Sequence, residues 1–459
     1  MTLIKSISGI RGTIGGKPGD SLTPVDVVRF AAAYCTMLRK DKSKKLRIVI
    51  GRDARPSGEM ISSLVSSTLR AMGADVIDLG LSTTPTVEVA VEKENASGGI
   101  ILTASHNPVQ WNALKLLNSK GEFISADEGK QLLKLTEEDA YLFAEVDQLG
   151  TIVNKDYLDI HLDEILTLPL VDKESIRKAG FKIAVDAVNS SGGIYVPALL
   201  KKLGVEEIVE LYCEPHGRFP HNPEPLPEHL SELSSTVVKN NCHIGICVDP
   251  DVDRLAFVCE DGSMFGEEYT LVAVADYVLT HNKGNTVSNL SSTRALRDVT
   301  ISHGQEYFAS AVGEVNVVVQ MKSSNAVIGG EGNGGIIYPP AHYGRDALVG
   351  IALFLTHLAK KNLKASELRD FYPRYVMSKN KIELVEGIDV DEILKRLMEV
   401  YSNERINTID GVKIDFENEW VHLRKSNTEP IIRIYAESST RESADRLAEK
   451  VIHEIQQLV

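Results

Sequence analysis

Residues 243–254 read HIGICVDPDVDR, a short apolar run that stops at three aspartates in alternate positions. The apolar run has the length of one buried β-strand, and the aspartates follow it in a loop. An apolar run followed by a polar or glycine-rich loop also occurs at GGIILTASHNP (98–108) and at AVIGGEGNGG (326–335). The chain therefore contains three segments in which a buried strand leads into a loop of unusual composition.

Each of these segments is the last part of a unit with the order strand, helix, strand, helix, strand. The first strands are LRIVIGRD (46–53), FKIAVDAV (181–188) and NTVSNLSST (285–293), and the second strands are ADVIDLGL (74–81), VEEIVELYCEP (205–215) and EYFASAVG (306–313). Helices are predicted over 56–72 and 85–95, up to 203 and near 227–240, and up to 303 and near 314–322. Strands separated by such helices predict βαβ units with parallel pairing.

From about residue 372 the pattern changes to short strands near 381, 408, 420 and 431, with helices over 389–402 and 440–457. This pattern indicates an α+β domain. The fold class is therefore α/β, with three similar α/β domains followed by a C-terminal α+β domain. We place the boundaries at 1–155, 156–257, 258–371 and 372–459. Because ligands bind at the carboxyl ends of parallel strands, we expect the three loops to form one composite active site.

Composition excludes several classes of function. The 459 residues carry a formal net charge of −14, which argues against a nucleic-acid partner, since phosphate backbones are bound mainly by clustered Lys and Arg. No apolar stretch is long enough to cross a membrane or to serve as a signal peptide. The five cysteines form no CxxC pair, which suits a reducing compartment. We expect a cytoplasmic protein without a membrane partner, and the charge pattern does not decide its oligomeric state.

The loop DPDVDR is typical of a site for a hard cation. Asp249, Asp251 and Asp253 alternate after a strand, so their carboxylates can surround one Mg²⁺, which prefers oxygen ligands. An EF-hand is excluded because Arg254 occupies the position that requires glycine. Arg254 can add a fixed positive charge beside a transferring group. An acidic turn exposed to solvent is the alternative.

The loop TASHNP presents Ser105 between a buried strand and Pro108. A phosphorylated Ser105 would carry a charge of about −1.5 to −2 and would need a cation opposite it, which the aspartate loop could hold. A serine hydrolase is disfavoured because no GxSxG elbow surrounds the serine, and His106 is too close in sequence to act as its base. A turn that merely bonds its own backbone is the alternative.

Two further loops have the composition of ligand sites. In GEGNGG, Glu331 and Asn333 lie among glycines, so a ligand can approach the backbone, and the two side chains suit vicinal sugar hydroxyls. In the C-terminal domain, positive charges and short donors surround one turn and could cradle a phosphate. Those residues are Arg424, Ser426, Asn427, Thr428 and Arg433. Each loop alone could also be an ordinary surface turn.

Taken together, TASHNP, DPDVDR, GEGNGG and RKSNTEP (424–430) resemble the four ordered motifs of the α-D-phosphohexomutase family. GIRG (9–12) and GRDARPSG (51–58) support the resemblance, which spans essentially the whole chain. It implies mixed sheets in the three α/β domains and a central active-site cleft between all four domains. It also implies an isomerase that moves a phosphoryl group between O6 and O1 of a hexose.

The resemblance further implies roles for the residues that match these motifs. Ser105 would be the phosphoserine donor and would contact Mg²⁺ together with the three aspartates. Glu331 and Asn333 would bind sugar hydroxyls, and Arg424, Ser426, Asn427 and Thr428, with Arg433, would hold the phosphate that is not being transferred. Arg11, Lys115, His106 and Arg254 complete the predicted catalytic set, with Lys115 a candidate for proton transfer. The sugar phosphate is the expected partner, and hexose 1,6-bisphosphate is the expected activator.

Some positions depart from the family pattern. Many members have Ser and His where this chain has Asn333 and Gly335, and mannose-type members often have His where this chain has Glu314. Val315 stands where other members place a basic residue. The group that removes the proton of the sugar hydroxyl is therefore open.

The substrate and two rival functions are also open. ISGIRGTIGG (7–16) resembles the branch that acts on glucosamine phosphate, whereas GEGNGG leaves glucose and mannose phosphates as alternative substrates. A haloacid-dehalogenase-type phosphatase would use Asp249 as nucleophile and Asp251 as acid, although Asp253 occupies the Thr/Val position of its motif. A non-catalytic sugar-phosphate sensor could keep the same fold.

Overall fold

The structure is a computed structural model, and it describes residues 2–6, 9–39, 44–383, 390–425 and 431–458. Within those ranges the chain forms four β-sheets in succession along the sequence. The first three sheets each combine parallel and antiparallel strands, and the fourth is antiparallel. The predicted order of three mixed α/β sheets and one α+β domain is confirmed.

The first sheet has seven strands in the order β1-β2-β6-β5-β3-β4-β7. Its strands are β1 (Ile4–Ser6), β2 (Gly9–Thr13), β3 (Arg47–Arg52), β4 (Asp75–Leu81), β5 (Gly98–Leu102), β6 (Trp111–Leu117) and β7 (Ile152–Asn154). The helices packed with it are α1 (Pro24–Leu38), α2 (Gly58–Ala71), α3 (Thr84–Lys93) and α4 (Ala126–Glu137). β3 lies parallel to both β4 and β5, as the βαβ pattern predicts.

The second sheet, in the order β11-β10-β8-β9, and the third, in the order β13-β12-β14-β15, each have four strands. The second contains β8 (Lys182–Asp186), β9 (Glu207–Leu211), β10 (Ile244–Val248) and β11 (Leu255–Cys259), with α5 (Leu158–Thr167), α6 (Lys173–Ala179), α7 (Gly192–Lys202) and α8 (Ser231–Lys239). The third contains β12 (Asn285–Asn289), β13 (Tyr307–Ser310), β14 (Ala326–Glu331) and β15 (Gly335–Ile337). Its helices are α9 (Glu267–His281), α10 (Ala295–Ser302), α11 (Glu314–Ser324), α12 (Ala347–Lys361) and α13 (Ala365–Asp370).

The unusual loops share one structural position in the three mixed sheets. In each sheet the third predicted strand is followed by an antiparallel neighbour: β5 by β6, β10 by β11, and β14 by β15. Each loop therefore connects the two strands of a hairpin at the carboxyl end of a parallel strand. The strands β6, β11 and β15 lie beyond the predicted unit of strand, helix, strand, helix and strand, which ends at each loop.

The fourth sheet has five strands in the order β16-β20-β19-β18-β17. They are β16 (Val376–Glu383), β17 (Arg405–Asn407), β18 (Val412–Asp415), β19 (Trp420–Lys425) and β20 (Ile431–Ser438), with helices α14 (Val390–Val400) and α15 (Arg441–Leu458). The strand predicted near 408 corresponds to β17, and a further short strand, β18, follows the turn and pairs with it. Gly411, at φ +73°, supplies the left-handed conformation that this turn requires.

The second and third sheets share one apolar core. Helix α12 lies at its centre and is apolar on all sides, so every residue from Ala347 to Leu358 is buried. The N-terminus of this helix points toward the aspartate loop, since the amide of Ala347 donates to the carbonyl of Val252. The two sheets therefore pack together through one core, and this packing fixes the positions of their loops relative to each other. None of the helices formed by the described residues is long and apolar enough to cross a membrane.

Candidate active site

The Ser105 loop is held in place by a buried ion pair. Asp53 and Arg55, which follow β3, are in contact at 2.9 Å, and both are almost fully buried. The guanidinium of Arg55 donates to the backbone carbonyls of Ser105, Asn107 (2.7 Å) and Pro108 (2.7 Å). Charged donors that satisfy several carbonyls at once fix the path of the loop. The GRDARPSG motif is thus a support for the serine loop, a role that the sequence left unassigned.

Ser105 itself adopts an unusual backbone conformation, with φ +50°. Non-glycine residues in this region are uncommon and are found preferentially at functional sites. The amide of Ser105 donates to the Oγ1 of Thr103 (2.9 Å), and its hydroxyl donates to Oδ2 of Asp249 (2.7 Å). His106 Nδ1 lies 3.4 Å from the hydroxyl oxygen. The conformation therefore directs the serine hydroxyl to the aspartate loop of the second sheet.

The three aspartates converge and are completely buried. Asp249 Oδ1 accepts from the amides of Asp253 and Arg254, each at 3.1 Å, which closes the loop on itself. Between Asp251 and Asp253, Val252 has φ +62°, a strained value for a β-branched residue. The backbone thus accepts strain in order to turn all three carboxylates to one side.

The electrostatics of this loop favour a bound cation. Burial, and then the charges of Asp253 and Asp251, raise the pKa of Asp249 well above its ordinary value. One oxygen of Asp251 and one of Asp253 are buried without a hydrogen-bond partner. Orphaned carboxylate oxygens within one group of ligands that lie within 4.8 Å of one another suit a hard divalent ion. The residues present therefore fit the predicted metal site.

Lys115, on β6, is the ammonium group closest to these carboxylates. Its Nζ lies 2.6 Å from Oδ2 of Asp251 and 3.1 Å from Oδ2 of Asp253. Burial alone would lower the pKa of Lys115, but the two aspartates outweigh it and hold this pKa above its ordinary value. Asp251 also accepts from the hydroxyl of Thr84 at 2.5 Å, at the start of α3. Ser105, Lys115 and Thr84 thus all contact the aspartate loop from the domain that contains the first sheet.

The sugar-loop residues lie at the end of β14. Glu331 Oε1 accepts from Asn289 Nδ2 (2.7 Å) and from the amide of Gly313 (3.0 Å), and its other oxygen accepts from Arg345 (2.9 Å). Asn333 Oδ1 accepts from the amide of Gly335 (3.2 Å). Both predicted hydroxyl-binding side chains are therefore held in defined orientations.

Arg345 is a site residue that the sequence analysis missed. Its guanidinium contacts Asp253 (2.7 Å), Glu314 (2.9 Å) and Glu331 (2.9 Å), so it joins the metal loop to the sugar loop. A Cβ at Gly335 would lie 2.3 Å from Cδ of Arg345, so any larger residue there would require Arg345 to move. In the sequence, this role was indicated only by the charged pair Arg345-Asp346 directly before an apolar helix.

The fourth sheet contributes positive charge. Arg424 on β19 is directly opposite Arg433 on β20 in the antiparallel register. Like charges in this position repel each other, so an anion bound between them would be favourable. Arg424 Nε also lies 2.7 Å from Asp410 Oδ2. Three other predicted clamp residues, Ser426, Asn427 and Thr428, lie outside the described residues.

One cleft of about 760 Å³ brings the described site residues together. Its walls include the remaining predicted catalytic residues: Arg11, His106 and Arg254. Arg254 Nη1 contacts Glu224 at 2.9 Å. Burial, then Arg254 and Arg11, lower the pKa of His106 well below its ordinary value, which favours the neutral form of its ring. The other lining residues from the prediction are Ser105, Lys115, Glu331, Asn333, Arg424 and Arg433.

The chain matches the four domain models of one protein family in order. Domain I, described as phosphoglucomutase/phosphomannomutase alpha/beta/alpha domain I, matches residues 3–142, and domain II matches 159–262. Domain III matches residues 266–375, and the C-terminal domain matches 377–454. Together these four matches cover nearly the whole chain.

Relatives along the full length carry related names. The chain is 34% identical to a phosphoglucomutase/phosphomannomutase of Thermococcus kodakarensis over 94% of this chain and 95% of the relative. It is 31% identical to a probable phosphoglucosamine mutase of Methanopyrus kandleri over 98% of this chain and 97% of the relative. A crystal structure of a phosphoglucomutase/phosphomannomutase family protein from Burkholderia thailandensis is 25% identical, with a TM-score of 0.84, covering 99% of this chain and 98% of that one.

Proposed function

Because this chain belongs to the phosphoglucomutase/phosphomannomutase family, we propose that it interconverts hexose 6-phosphates and hexose 1-phosphates through a phosphorylated Ser105. The observation that carries the proposal is the 2.7 Å contact between the Ser105 hydroxyl and Asp249. In this contact, the hydroxyl of the candidate phosphoryl carrier meets a buried carboxylate cluster that is suited to a hard cation.

The reaction consists of two phosphoryl transfers at the same serine. In the first, the bond between phosphorus and Ser105 Oγ breaks as a bond forms to the free hydroxyl oxygen of a hexose monophosphate. The resulting 1,6-bisphosphate turns around in the cleft, and its other phosphate returns to Ser105. Positioning and charge stabilisation provide most of the rate enhancement in phosphoryl transfer.

Asp249, Asp251 and Asp253 are the residues that would hold Mg²⁺, with an oxygen at Ser105 as a further ligand. When bound, the ion supplies positive charge next to the transferring group. Arg254 and Arg11 line the same part of the cleft and add charge that does not depend on the ion. Hexose 1,6-bisphosphate is the proposed activator, since it can phosphorylate Ser105 of an enzyme that has lost its phosphate.

Lys115 is the proposed proton-transfer residue. Asp251 and Asp253 keep it protonated, so its ammonium group can give a proton to Ser105 Oγ as the phosphoryl group leaves. The amine formed in this way can then accept the proton that the sugar hydroxyl loses. The neutral ring of His106, 3.4 Å from the serine oxygen, can orient the hydroxyl without changing the charge of the site.

The opposed guanidiniums of Arg424 and Arg433 would bind the phosphate that is not being transferred. The bisphosphate presents either phosphate to this pair, so one binding site serves both halves of the reaction. Glu331 and Asn333 would bind ring hydroxyls between the two phosphate positions. The preferred sugar is proposed to be glucosamine phosphate, with glucose or mannose phosphate as the alternative, since relatives carry both kinds of name.

Phosphorus NMR tests the proposal. The protein, Mg²⁺ and a trace of hexose 1,6-bisphosphate are incubated with glucosamine, glucose or mannose 6-phosphate in separate samples. A growing sugar 1-phosphate signal is the expected result, and its rate ranks the sugars. Release of inorganic phosphate alone would instead indicate the phosphatase, and binding without turnover would indicate the sensor.

A further inference from the structure

We propose that Glu314 selects amino sugars by accepting a hydrogen bond from the ammonium group of a 2-amino-2-deoxyhexose phosphate. This inference rests on the proposed function and assigns a residue to the choice of sugar. Glu314 is the first residue of α11, and it lines the same cleft as Ser105 and Glu331. The sequence departs from mannose-type members at this position.

The position of Glu314 is fixed by one neighbour. Its Oε1 accepts from the backbone amide of Arg345 (3.2 Å), and its Oε2 accepts from Arg345 Nε (2.9 Å). A carboxylate has about four acceptor positions, so two bonds leave capacity for a ligand. Glu314 is 7% exposed, so the part of it that a ligand can reach is small and defined.

The local charge favours a cationic ligand. The Arg345 guanidinium is shared by three carboxylates: Asp253, Glu314 and Glu331. A metal ion in the aspartate loop would offset Asp253, but Glu314 and Glu331 would still share one guanidinium as the cation in contact with them. Burial, with Asp253 and Glu331, raises the pKa of Glu314 despite the opposing charges of Arg345 and Lys115, so a further positive charge beside it would be favourable. An ammonium group on the sugar supplies that charge, whereas a hydroxyl does not.

Glu314 and Glu331 divide the recognition of the sugar between them. Glu331 already accepts three hydrogen bonds, two on Oε1 and one on Oε2, and all its donors are fixed parts of the protein. Glu314 has Arg345 as its donor. An ammonium group on the ligand therefore gains more binding energy at Glu314 than at Glu331, because it can form a charge-assisted hydrogen bond with a carboxylate that has acceptor positions to spare.

The experiment compares wild-type protein with Glu314→Gln, which keeps the size of the side chain but removes its charge. kcat/KM is measured for glucosamine 6-phosphate and glucose 6-phosphate with Mg²⁺ and hexose 1,6-bisphosphate. We expect the ratio of the two values to favour the amino sugar in wild type and to fall about tenfold or more in the variant, the loss of one charge-assisted bond. Glu306→Gln makes the same chemical change at an exposed residue just before β13, whereas Glu314 follows that strand, so this control should leave the ratio unchanged.

Equal losses on both sugars in Glu314→Gln would overturn the inference, because Glu314 would then act on a group that the sugars share. A wild-type preference for glucose 6-phosphate would also overturn it while leaving the mutase function intact. If no hexose phosphate is turned over, the proposed function fails, and calorimetry decides the inference. Tighter binding of glucosamine 6-phosphate, lost in Glu314→Gln, supports selection of the amine, and equal binding of both sugars refutes it.

Discussion

Replacing Arg345 with methionine should damage both stability and turnover, because this one guanidinium contacts three buried carboxylates. Its contacts with Asp253, Glu314 and Glu331 are 2.7, 2.9 and 2.9 Å long, and the side chain is 9% exposed. Removing one partner of a buried ion pair costs about 3–5 kcal/mol, since the remaining charge stays buried without compensation. We expect a loss of this size in the unfolding free energy of metal-free Arg345→Met.

The same substitution should lower kcat/KM by about a hundredfold or more, because Asp253 and Glu331 each lose one of the contacts that set their positions. Mg²⁺ should recover part of the stability, since it would give Asp253 a new counter-charge, but it should not recover the sugar-binding geometry. Arg345→Lys keeps the charge, yet one ammonium group cannot reach three carboxylates in the same way. It should therefore fall between wild type and Arg345→Met.

Urea unfolding followed by circular dichroism measures the stability loss, and the NMR assay measures turnover. Arg29→Met is the matched control, because Arg29 and Asp139 form an exposed pair at 2.8 Å with side chains 41% and 52% exposed. Exposed pairs contribute about 0–1 kcal/mol. If Arg345→Met resembles Arg29→Met in stability and keeps kcat/KM within about twofold of wild type, the role given to Arg345 is wrong.

Three further perturbations test other parts of the site. Asp249→Asn should weaken the rise in melting temperature caused by Mg²⁺ without lowering the metal-free melting temperature, since the raised pKa of Asp249 already favours its neutral form; equal Mg²⁺ effects in both proteins would contradict this. Lys115→Met should reduce kcat by roughly 10²–10⁴ through loss of proton transfer, and unchanged kcat would exclude that role. Burial lowers the pKa of His342, but contacts with Asp346 and Glu88 outweigh it and raise this pKa from 6.5 to about 10. The contribution of protonated His342 to the stability of the fold should therefore be lost as pH rises from about 6.5 to 10. Melting curves of His342→Gln should be flatter over that range, and parallel curves for both proteins would refute the assignment.

The sequence predicted the features that depend on local order. Apolar runs of strand length, such as Ile244–Val248, identified the parallel strands, and the loops that follow them identified Ser105 and the three aspartates. This worked because the carboxyl ends of parallel strands meet at one edge of a sheet, so residues far apart in sequence share a position relative to their strands. The 2.7 Å contact from Ser105 to Asp249 joins loops of two different sheets, so it depends in addition on how those two sheets pack against each other.

Features that depend on tertiary contacts, or on strands too short to form an apolar run, could not be predicted in the same way. Arg345 lies in an ordinary segment before α12, and its role appears only where Asp253 and Glu331 come within its reach. Asp53 and Arg55 were recognised as part of a motif, but their support of the serine loop depends on the distant carbonyls of Ser105 to Trp111. The turn at Gly411 was missed because its two short strands have no long apolar run.

The phosphorylation state of Ser105 tests the central claim most directly. Protein incubated with hexose 1,6-bisphosphate and Mg²⁺ is digested, and the phosphorylated peptide is identified by mass spectrometry before and after a hexose 6-phosphate is added. Phosphate on Ser105 that disappears as sugar bisphosphate forms, and that is absent from Ser105→Ala, is the predicted result. Phosphate on Asp249 instead, or full turnover by Ser105→Ala, would contradict the account.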